Sequence, residues 1–280
     1  TSVPNFPAFF EWVGQYITSP VKPAVGGVGR GSPEGGRGAA RGADVASPRM
    51  DNNSRLAHAQ LLEKAKLGKG KIDVYFEGDS IIRRWGATDY PKYLANWKEN
   101  FFGWNAADFG WGADRVENIL WRLENGELDG VEPKVIVLLG GTNNLDAARG
   151  EANAADISKG LQAVVDICRQ KAPGAVIIVT GIFPRNDNMA DLPIIHQVNE
   201  NLAKMADGKS IRYLNINGKL ADQEGKLLKG MMNGDRLHPD TAGYQVWADA
   251  LKPIFTEILG PPGKEDHAPP ATGDPSAARP

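Results

Sequence analysis

The sequence contains a single cysteine, Cys168, among 280 residues. One cysteine excludes an intramolecular disulfide and any metal cluster built from several cysteines. Because Cys168 falls in an apolar-periodic segment, we interpret it as a small core residue, with a reactive thiol as the alternative. No run approaches the ~18 apolar residues of a membrane-spanning helix. A chain of 280 residues can bury a full hydrophobic core without disulfides or metal clusters to stabilise it.

The chain also lacks an excess of charge of either sign. Lys and Arg total 32 and Asp and Glu total 34, which gives a formal net charge of -2. Such a protein has no global field that would attract nucleic acid or an acidic membrane. The primary prediction therefore includes neither a nucleic-acid partner nor a membrane span.

Two common active-site motifs are missing. No Gly-x-Ser-x-Gly sequence occurs, which argues against the α/β-hydrolase fold with its nucleophile elbow. No Gly-x-Gly-x-x-Gly sequence follows a predicted strand, so a dinucleotide site is unsupported. We therefore predict that the protein uses no cofactor.

Composition divides the chain into three parts. An N-terminal extension, residues 1–50, combines an aromatic-rich segment at 1–23 with a linker rich in Gly, Arg and Pro, a composition that cannot offset its ordering entropy. Residues 51–260 carry the pattern of a folded domain, and residues 261–280 are predicted to be a flexible tail. A start at Thr1 without Met slightly favours a secreted or periplasmic protein and equally fits a trimmed chain.

Short β-branched runs alternate with helical periodicity through the central part. Strands are predicted at 72–77, 135–139 and 175–180, with weaker candidates near 105–109 and 211–216. Helices are predicted at about 54–67, 114–125, 152–172, 192–207 and 241–259. This alternation predicts a mostly parallel sheet covered by helices on both faces. In such sheets ligands bind beyond the carboxyl ends of the strands.

A serine, Ser80, follows the first predicted strand directly, after Gly78 and Asp79. Near the other end of the domain, Asp235 and His238 lie three residues apart in a predicted loop. A hydroxyl becomes a good nucleophile when a base takes its proton and a third group orients that base, and these segments supply the three residue types. A capping role for Ser80 is the alternative. The Asp-x-x-His pair could also bind a metal, but it has no cysteine partner and no second clustered histidine, so we predict no metal.

Four short segments carry a resemblance to a known family. They read Gly-Asp-Ser at 78–80, Asp-Phe-Gly-Trp-Gly-Ala-Asp at 108–114, Gly-Gly-Thr-Asn-Asn at 140–144 and Asp-Arg-Leu-His-Pro at 235–239. In this order they resemble the blocks of the SGNH hydrolases, also called the GDSL esterase/lipase family. The run from 108 to 144 is especially similar to the catalytic subunits of the platelet-activating-factor acetylhydrolases, and carbohydrate acetylesterases are also similar.

The resemblance covers roughly residues 70–260 and implies both a fold and a set of roles. The implied fold is a flavodoxin-like three-layer α/β/α sandwich with a central five-stranded, mostly parallel sheet. The implied catalytic residues are Ser80 as the nucleophile, His238 as the general base and Asp235 as the group that orients the imidazole.

The family pattern also implies an oxyanion hole, which is a set of donors for the negative oxygen of the tetrahedral intermediate. Its members here are the backbone N–H of Ser80, that of Ala113 and the side chain of Asn143. Because Ala113 replaces the usual glycine, Gly112 is an alternative donor. Asp108 likewise replaces a common asparagine at the head of its block. Asn143 as a simple turn residue is the alternative interpretation.

The predicted function is that of a serine esterase that hydrolyses short-chain acetyl esters through an acyl-enzyme, with a carbohydrate or a similar small ester as substrate. Trp85 and Trp111 adjoin the predicted site and are candidate substrate contacts, with core packing as the alternative. A lysophospholipase or thioesterase with a longer acyl site is the second enzymatic hypothesis.

A third hypothesis concerns the Gly/Arg-rich stretch of the N-terminal extension. Arg30, Arg37, Arg41 and Arg49 could form an arm that binds RNA or another polyanion. A linker that places residues 1–23 against the core, or against a neighbouring subunit of a homodimer, is the more economical interpretation.

Overall fold

The computed structural model of the chain describes residues 42–277. The predicted aromatic segment at 1–23 and most of the predicted linker lie outside the described residues. No helix among the described residues is both long enough and apolar enough to cross a bilayer.

A parallel sheet of five strands forms the middle of the fold. The strands are β1 (Val74–Gly78), β2 (Ala106–Asp108), β3 (Val135–Leu139), β4 (Val176–Thr180) and β5 (Ile211–Leu214). They lie side by side in the order β2-β1-β3-β4-β5, and every neighbouring pair is parallel. The three strongest apolar runs in the sequence form the three central strands, whose residues are all buried except the half-buried Val176, as a covered parallel sheet requires.

Helices cover both faces of this sheet. They are α1 (Asn52–Leu67), α2 (Ser80–Gly86), α3 (Pro91–Phe101), α4 (Val116–Arg122), α5 (Glu151–Lys171), α6 (Leu192–Met205), α7 (Asn217–Leu220) and α8 (Thr241–Leu259). A π-helical turn at Leu123–Glu127 extends α4, and 3-10 turns occur at Thr142–Asn144, Ala147–Arg149 and Met189–Asp191. The predicted three-layer α/β/α fold is confirmed.

Side-chain alternation along β1 divides the interior into two cores. Tyr75 packs into the core under α1, α4, α5 and α6, and Phe76 packs into the opposite core under α2, α3 and α8. Cys168 is fully buried in the first core, where burial raises the pKa of its thiol well above the ordinary value. This environment fits the predicted structural role for the cysteine.

Local signals fix the ends of several helices. The Asp51 side chain accepts a hydrogen bond from the Ser54 N–H at the start of α1. Asp240 caps α8 by accepting a hydrogen bond from the Thr241 N–H, and Gly260 ends that helix. Helix α3, which begins after Tyr90 without a side-chain cap, is not apparent from the sequence pattern. Only the proline at its first turn marks its start in the sequence.

The C-terminal segment differs from the flexible tail that the sequence predicted. Over residues 261–277 its backbone pairs with loops of the domain: Gly263 N–H donates to Gly103 O at 2.8 Å, and Thr88 N–H donates to Thr272 O at 3.0 Å. The Gly and Pro content of the segment predicted disorder, but composition does not reveal partners so distant in sequence. Residues 42–50 of the predicted linker also contact the domain, where Ser47 N–H donates to Glu117 O at 2.9 Å.

Trp85 is a core residue and not a substrate contact. It is 0% exposed and lies among other rings, with centroid distances of 4.8 Å to Tyr244 and 5.1 Å to Trp247. Its indole N–H donates to Asn96 Oδ1 at 2.9 Å, which satisfies its polar atom internally. The predicted contact with substrate is therefore wrong for this residue.

We expect Trp85→Ala to lower the free energy of unfolding by about 3–5 kcal/mol, because it leaves a cavity at the centre of the aromatic core. Denaturant unfolding followed by circular dichroism measures this change. Leu67→Ala is the matched control, since Leu67 is 54% exposed, and it should change the free energy by less than about 0.5 kcal/mol. Equal effects of the two substitutions would contradict the assignment.

Candidate active site

Ser80 lies at the carboxyl end of β1, where the strand turns into α2. Gly78, the last residue of β1, is so close to β3 that a Cβ atom there would lie 2.1 Å from the Leu139 carbonyl oxygen. Asp79 then caps α2 by accepting from the Ile81 N–H at 2.9 Å, and Ser80 is the first helical residue. Strand, glycine and cap together fix the position of the serine.

His238 and Asp235 approach Ser80 from the loop that precedes α8. Ser80 Oγ and His238 Nε2 are 2.8 Å apart, and His238 Nδ1 and Asp235 Oδ2 are also 2.8 Å apart. The loop is closed by a hydrogen bond from Asn233 N–H to His238 O at 2.9 Å. The structure thus brings together the serine, the imidazole and the carboxylate that the sequence singled out.

The electrostatics of this group favour an ionised carboxylate and a neutral imidazole. Burial acts to raise the pKa of Asp235, but hydrogen bonds from the backbone N–H groups of His238 and Leu237 outweigh it and lower that pKa to about 2. Burial lowers the pKa of His238 below its ordinary value, as does the charge of Arg84, while Asp235 opposes both. A neutral imidazole beside a hydroxyl can accept its proton.

Arg84 is a member of this group that the sequence analysis missed. Its Nη1 donates to Asp235 Oδ2 at 3.1 Å, the same oxygen that His238 contacts. Arg84 follows Ser80 by four residues on α2, and this spacing places two side chains on one face of a helix. That spacing is the signal that could have identified it.

The segment from Trp111 to Asp114, which we call the oxyanion turn, lies beside Ser80. Its ends are joined by a hydrogen bond from Asp114 N–H to Trp111 O at 3.3 Å, and Trp111 N–H donates to Gly78 O at 3.0 Å. Ala113 has a φ of +62°, a left-handed conformation that costs an L-residue about 1–2 kcal/mol. Its N–H has no acceptor among residues 42–277. The group is therefore open to a ligand, in a conformation that glycine would adopt without strain.

Asn143, from the 3-10 turn after β3, contacts the same turn. Its Nδ2 donates one hydrogen to the Asp114 carbonyl oxygen at 2.8 Å. A primary amide has two N–H hydrogens, so the second is available for another acceptor. Asn144 plays a structural part, since its Oδ1 accepts from the Val116 N–H at 2.9 Å at the start of α4.

A buried ion pair holds the C-terminal end of the oxyanion turn. The Asp114 carboxylate is 0% exposed and accepts from Arg122 through both oxygens, at 2.5 Å and 3.3 Å. Arg122 also donates to Ser54 Oγ of α1 at 2.7 Å. Such a bidentate pair fixes direction as well as charge.

Asp108 supports the N-terminal end of the same block. Its Oδ1 accepts from the Gly110 N–H at 2.8 Å, and Lys64 Nζ donates to its carbonyl oxygen at 2.7 Å. Burial raises the pKa of Asp108 to about 6 and lowers that of Lys64. Hydrogen bonds therefore hold Asp108, which replaces the common asparagine, in place within the fold.

Trp111 was the second candidate for substrate contact, and it too is largely buried, at 6% exposure. The guanidinium of Arg83 lies over its ring, 4.4 Å from the centroid. This cation–π contact covers one face of the ring. The structure therefore corrects the prediction for Trp111 as well.

A serine, an imidazole and a carboxylate hydrogen-bonded in series at the edge of a parallel sheet are typical of hydrolytic enzymes. A model of the GDSL-like lipase/acylhydrolase family matches residues 76–246. Platelet-activating factor acetylhydrolase IB subunit alpha2 of Rattus norvegicus is 32% identical over 189 residues, which cover 67% of this chain and 77% of the relative. The alpha1 subunit of Homo sapiens is 31% identical, with the same coverage. The chain belongs to the GDSL-like lipase/acylhydrolase family and is an ester hydrolase.

Solved structures show the same fold. A GDSL-like lipase from Bacteroides thetaiotaomicron superposes with a TM-score of 0.56 at 17% identity, covering 72% of this chain and 100% of the other. A lipolytic protein of the G-D-S-L family from Veillonella parvula gives 0.54 at 23% identity, covering 67% and 100%. At these identities the likeness concerns the fold alone.

We expect Arg84→Gln to raise the pKa of His238, because it removes the positive charge that disfavours the imidazolium. His238 faces Ser80, Asp235, Arg84 and Asp187, and of these only Arg84 lowers the pKa through its charge. NMR titration of the imidazole, with its signal identified from a His238→Gln variant, measures the change. Arg84→Lys keeps the charge and should leave the pKa nearly unchanged. A constant or lower pKa in Arg84→Gln would refute this account.

Proposed function

We propose that the protein is a serine esterase that hydrolyses short-chain acetyl esters, with Ser80 as nucleophile, His238 as general base and Asp235 as the orienting carboxylate. The observation that carries the proposal is the uninterrupted hydrogen-bonded series from Ser80 Oγ through both nitrogens of His238 to Asp235, with both links at 2.8 Å. This is the geometry that proton transfer from the hydroxyl requires.

The reaction follows from these positions. As Ser80 Oγ attacks the ester carbonyl carbon, its proton passes to His238 Nε2, and the imidazolium is stabilised by Asp235. The tetrahedral intermediate collapses when the C–O bond to the alcohol breaks, and His238 returns the proton to the departing oxygen. Water then attacks the acyl carbon as His238 takes its proton. The C–O bond to Ser80 Oγ breaks, His238 returns the proton to Oγ, and the carboxylic acid is released.

Negative charge on the former carbonyl oxygen requires fixed donors. We assign the backbone N–H groups of Ser80 and Ala113 and the second amide hydrogen of Asn143 to this role. The unpaired Ala113 N–H supports its assignment; the Gly112 N–H likewise has no acceptor among residues 42–277, so Gly112 stays the alternative donor. The donors come from loops after three adjacent strands, β1, β2 and β3.

The names of the relatives support the acetyl specificity, since both are acetylhydrolases. The burial of Trp85 and Trp111 removes the observation that favoured a sugar as the alcohol component. A deacetylated glycan is still a candidate product, and it no longer has a specific structural argument in its favour.

A longer acyl site is the second candidate, and one observation favours it. Met189 is 43% exposed in the segment that follows β4. That segment is joined to the His238 loop by a hydrogen bond from Asn186 N–H to Arg236 O at 3.0 Å. An exposed methionine three residues after Asn186 could line the path of a longer acyl chain.

The hypothesis of a polyanion-binding arm stays a prediction. Arg30, Arg37 and Arg41 lie outside the described residues. Arg49 is already engaged by Asp51 and Asp114, at 3.0 Å and 3.3 Å, so its charge is compensated within the domain.

We expect Ser80→Ala to abolish hydrolysis of p-nitrophenyl acetate while circular dichroism and the melting temperature stay close to those of the parent. The side-chain oxygen is the proposed nucleophile, and a fluorophosphonate probe should add its mass to the peptide that contains Ser80. Ser276→Ala, at an exposed position of the C-terminal segment, is the control and should keep full activity. Near-full turnover by Ser80→Ala would overturn the proposal.

Acyl length separates the two enzymatic candidates. We expect kcat/KM on p-nitrophenyl esters to fall steeply beyond four carbons, by about 10-fold or more for each methylene that the site cannot hold. A maximum at eight or more carbons would instead assign the protein to the longer-chain acylhydrolases. Release of acetate from acetylated oligosaccharides, compared with release from an acetylated lysophospholipid, would then identify the alcohol component.

A further inference from the structure

Arg49, which precedes α1, makes an unusual set of contacts with the oxyanion turn. Its Nη1 donates to the Gly112 carbonyl oxygen at 2.5 Å and to Asp114 Oδ1 at 3.3 Å. Its Nε donates to Asp51 Oδ2 at 3.0 Å. The side chain is only 26% exposed. Arg49 also lies outside residues 76–246, the part matched by the family model, whereas Gly112 and Asp114 lie inside it.

The carbonyl that Arg49 holds belongs to the same peptide unit as the proposed oxyanion donor. Gly112 C=O and Ala113 N–H share one planar peptide, and no cis peptide bond occurs among the described residues. In a planar trans peptide the C=O and N–H bonds point in opposite directions. A contact that fixes the direction of the Gly112 carbonyl therefore fixes the direction of the Ala113 N–H.

The Gly112–Ala113 peptide is the central peptide of a β-turn, which can adopt two orientations. Residues Trp111 to Asp114 form a β-turn, closed by the hydrogen bond from Asp114 N–H to Trp111 O. The φ of +62° at Ala113, its third residue, matches a type II turn. Rotation of the central peptide by about 180° converts a type II turn into a type I turn, whose third residue has φ near −90°. The rotation would relieve the strain at Ala113 and would reverse its N–H.

Glycine at the third position would adopt the type II turn without strain, but this chain has alanine there. A second interaction is needed to hold the strained form. The charged hydrogen bond from Arg49 to Gly112 O supplies it, because that bond is lost when the peptide rotates. The Arg122–Asp114 ion pair fixes the side chain of Asp114 but makes no hydrogen bond with the Gly112–Ala113 peptide. The direction of that peptide therefore depends on Arg49.

We infer that Arg49 is a positioning residue that holds the Gly112–Ala113 peptide with its N–H directed at the oxyanion. The segment before α1 thereby completes the active site. The inference rests on the proposed function, since it concerns the donor role of Ala113 in ester hydrolysis. It also explains how alanine is tolerated at this position.

The test compares Arg49→Gln with the parent enzyme on p-nitrophenyl acetate. We expect kcat to fall, up to the ~10²–10³-fold effect of losing one oxyanion donor, with KM little changed. Affinity for a boronic acid inhibitor, whose tetrahedral adduct places an oxygen in the oxyanion hole, should fall by a similar factor. Arg49→Lys, which keeps a charged donor, should recover part of the loss. The matched control is Arg115→Gln, which removes an exposed arginine paired with Glu117 beside the same turn and should leave kcat unchanged.

A second substitution separates positioning from a general structural role. Ala113→Gly removes the φ penalty, so in the Arg49→Gln background it should recover kcat by several-fold, whereas alone it should change kcat little. Unchanged kcat and inhibitor affinity in Arg49→Gln, with Ser80→Ala inactive, would overturn the inference and leave the proposed function standing. A kcat loss that glycine does not relieve would also overturn it. Activity in Ser80→Ala would instead refute the proposed function itself.

Discussion

The close approach of β1 to β3 at Gly78 is the constraint on which the site depends. The space between its Cα and the Leu139 carbonyl excludes any side chain, so the two strands meet closely just before the chain turns towards Ser80. The carbonyl of Gly78 also accepts from Trp111 N–H, which brings the oxyanion turn to the same point. One residue without a side chain thereby sets the relative positions of three loops that come from distant parts of the sequence.

A network of buried charged side chains supports this arrangement. Arg122 lies between Asp114 and Glu127, and the ring of His58 contacts Glu127 at 2.6 Å. Close by, burial raises the pKa of Glu77 well above its ordinary value, and the carboxyl accepts a hydrogen bond from the Tyr75 hydroxyl at 3.1 Å. Such a network is costly to desolvate and stabilising only when every member is paired. The network ties the oxyanion turn to α1, α4 and β1, and so fixes the geometry of the proposed oxyanion donors.

The sequence predicted what depends on local pattern and could not predict what depends on distant contacts. The apolar runs of β1, β3 and β4 and the periodicity of α5 are visible because burial on both faces, or on one face, dictates residue type along the chain. Ser80, Asp235 and His238 were found from their residue types and motifs. The roles of Arg49 and Arg84 and the path of residues 261–277 could not be predicted. The sequence of an arginine or of a proline-rich segment is the same whether or not it makes a tertiary contact. The tryptophans Trp85 and Trp111 were misassigned because proximity in sequence to a site does not distinguish a rim from a core.

The placement of α8 has a consequence for biosynthesis. This last helix supplies Tyr244, Trp247 and Phe255 to the core that also contains Phe76 and Trp85, and the loop before it supplies His238. While residues 241–259 are still inside the ribosomal tunnel, the emerging chain has one face of its sheet without its cover. The second core and the candidate active site can therefore assemble only after residues 241–259 have left the tunnel, and until then the aromatic face is a surface that chaperones would bind.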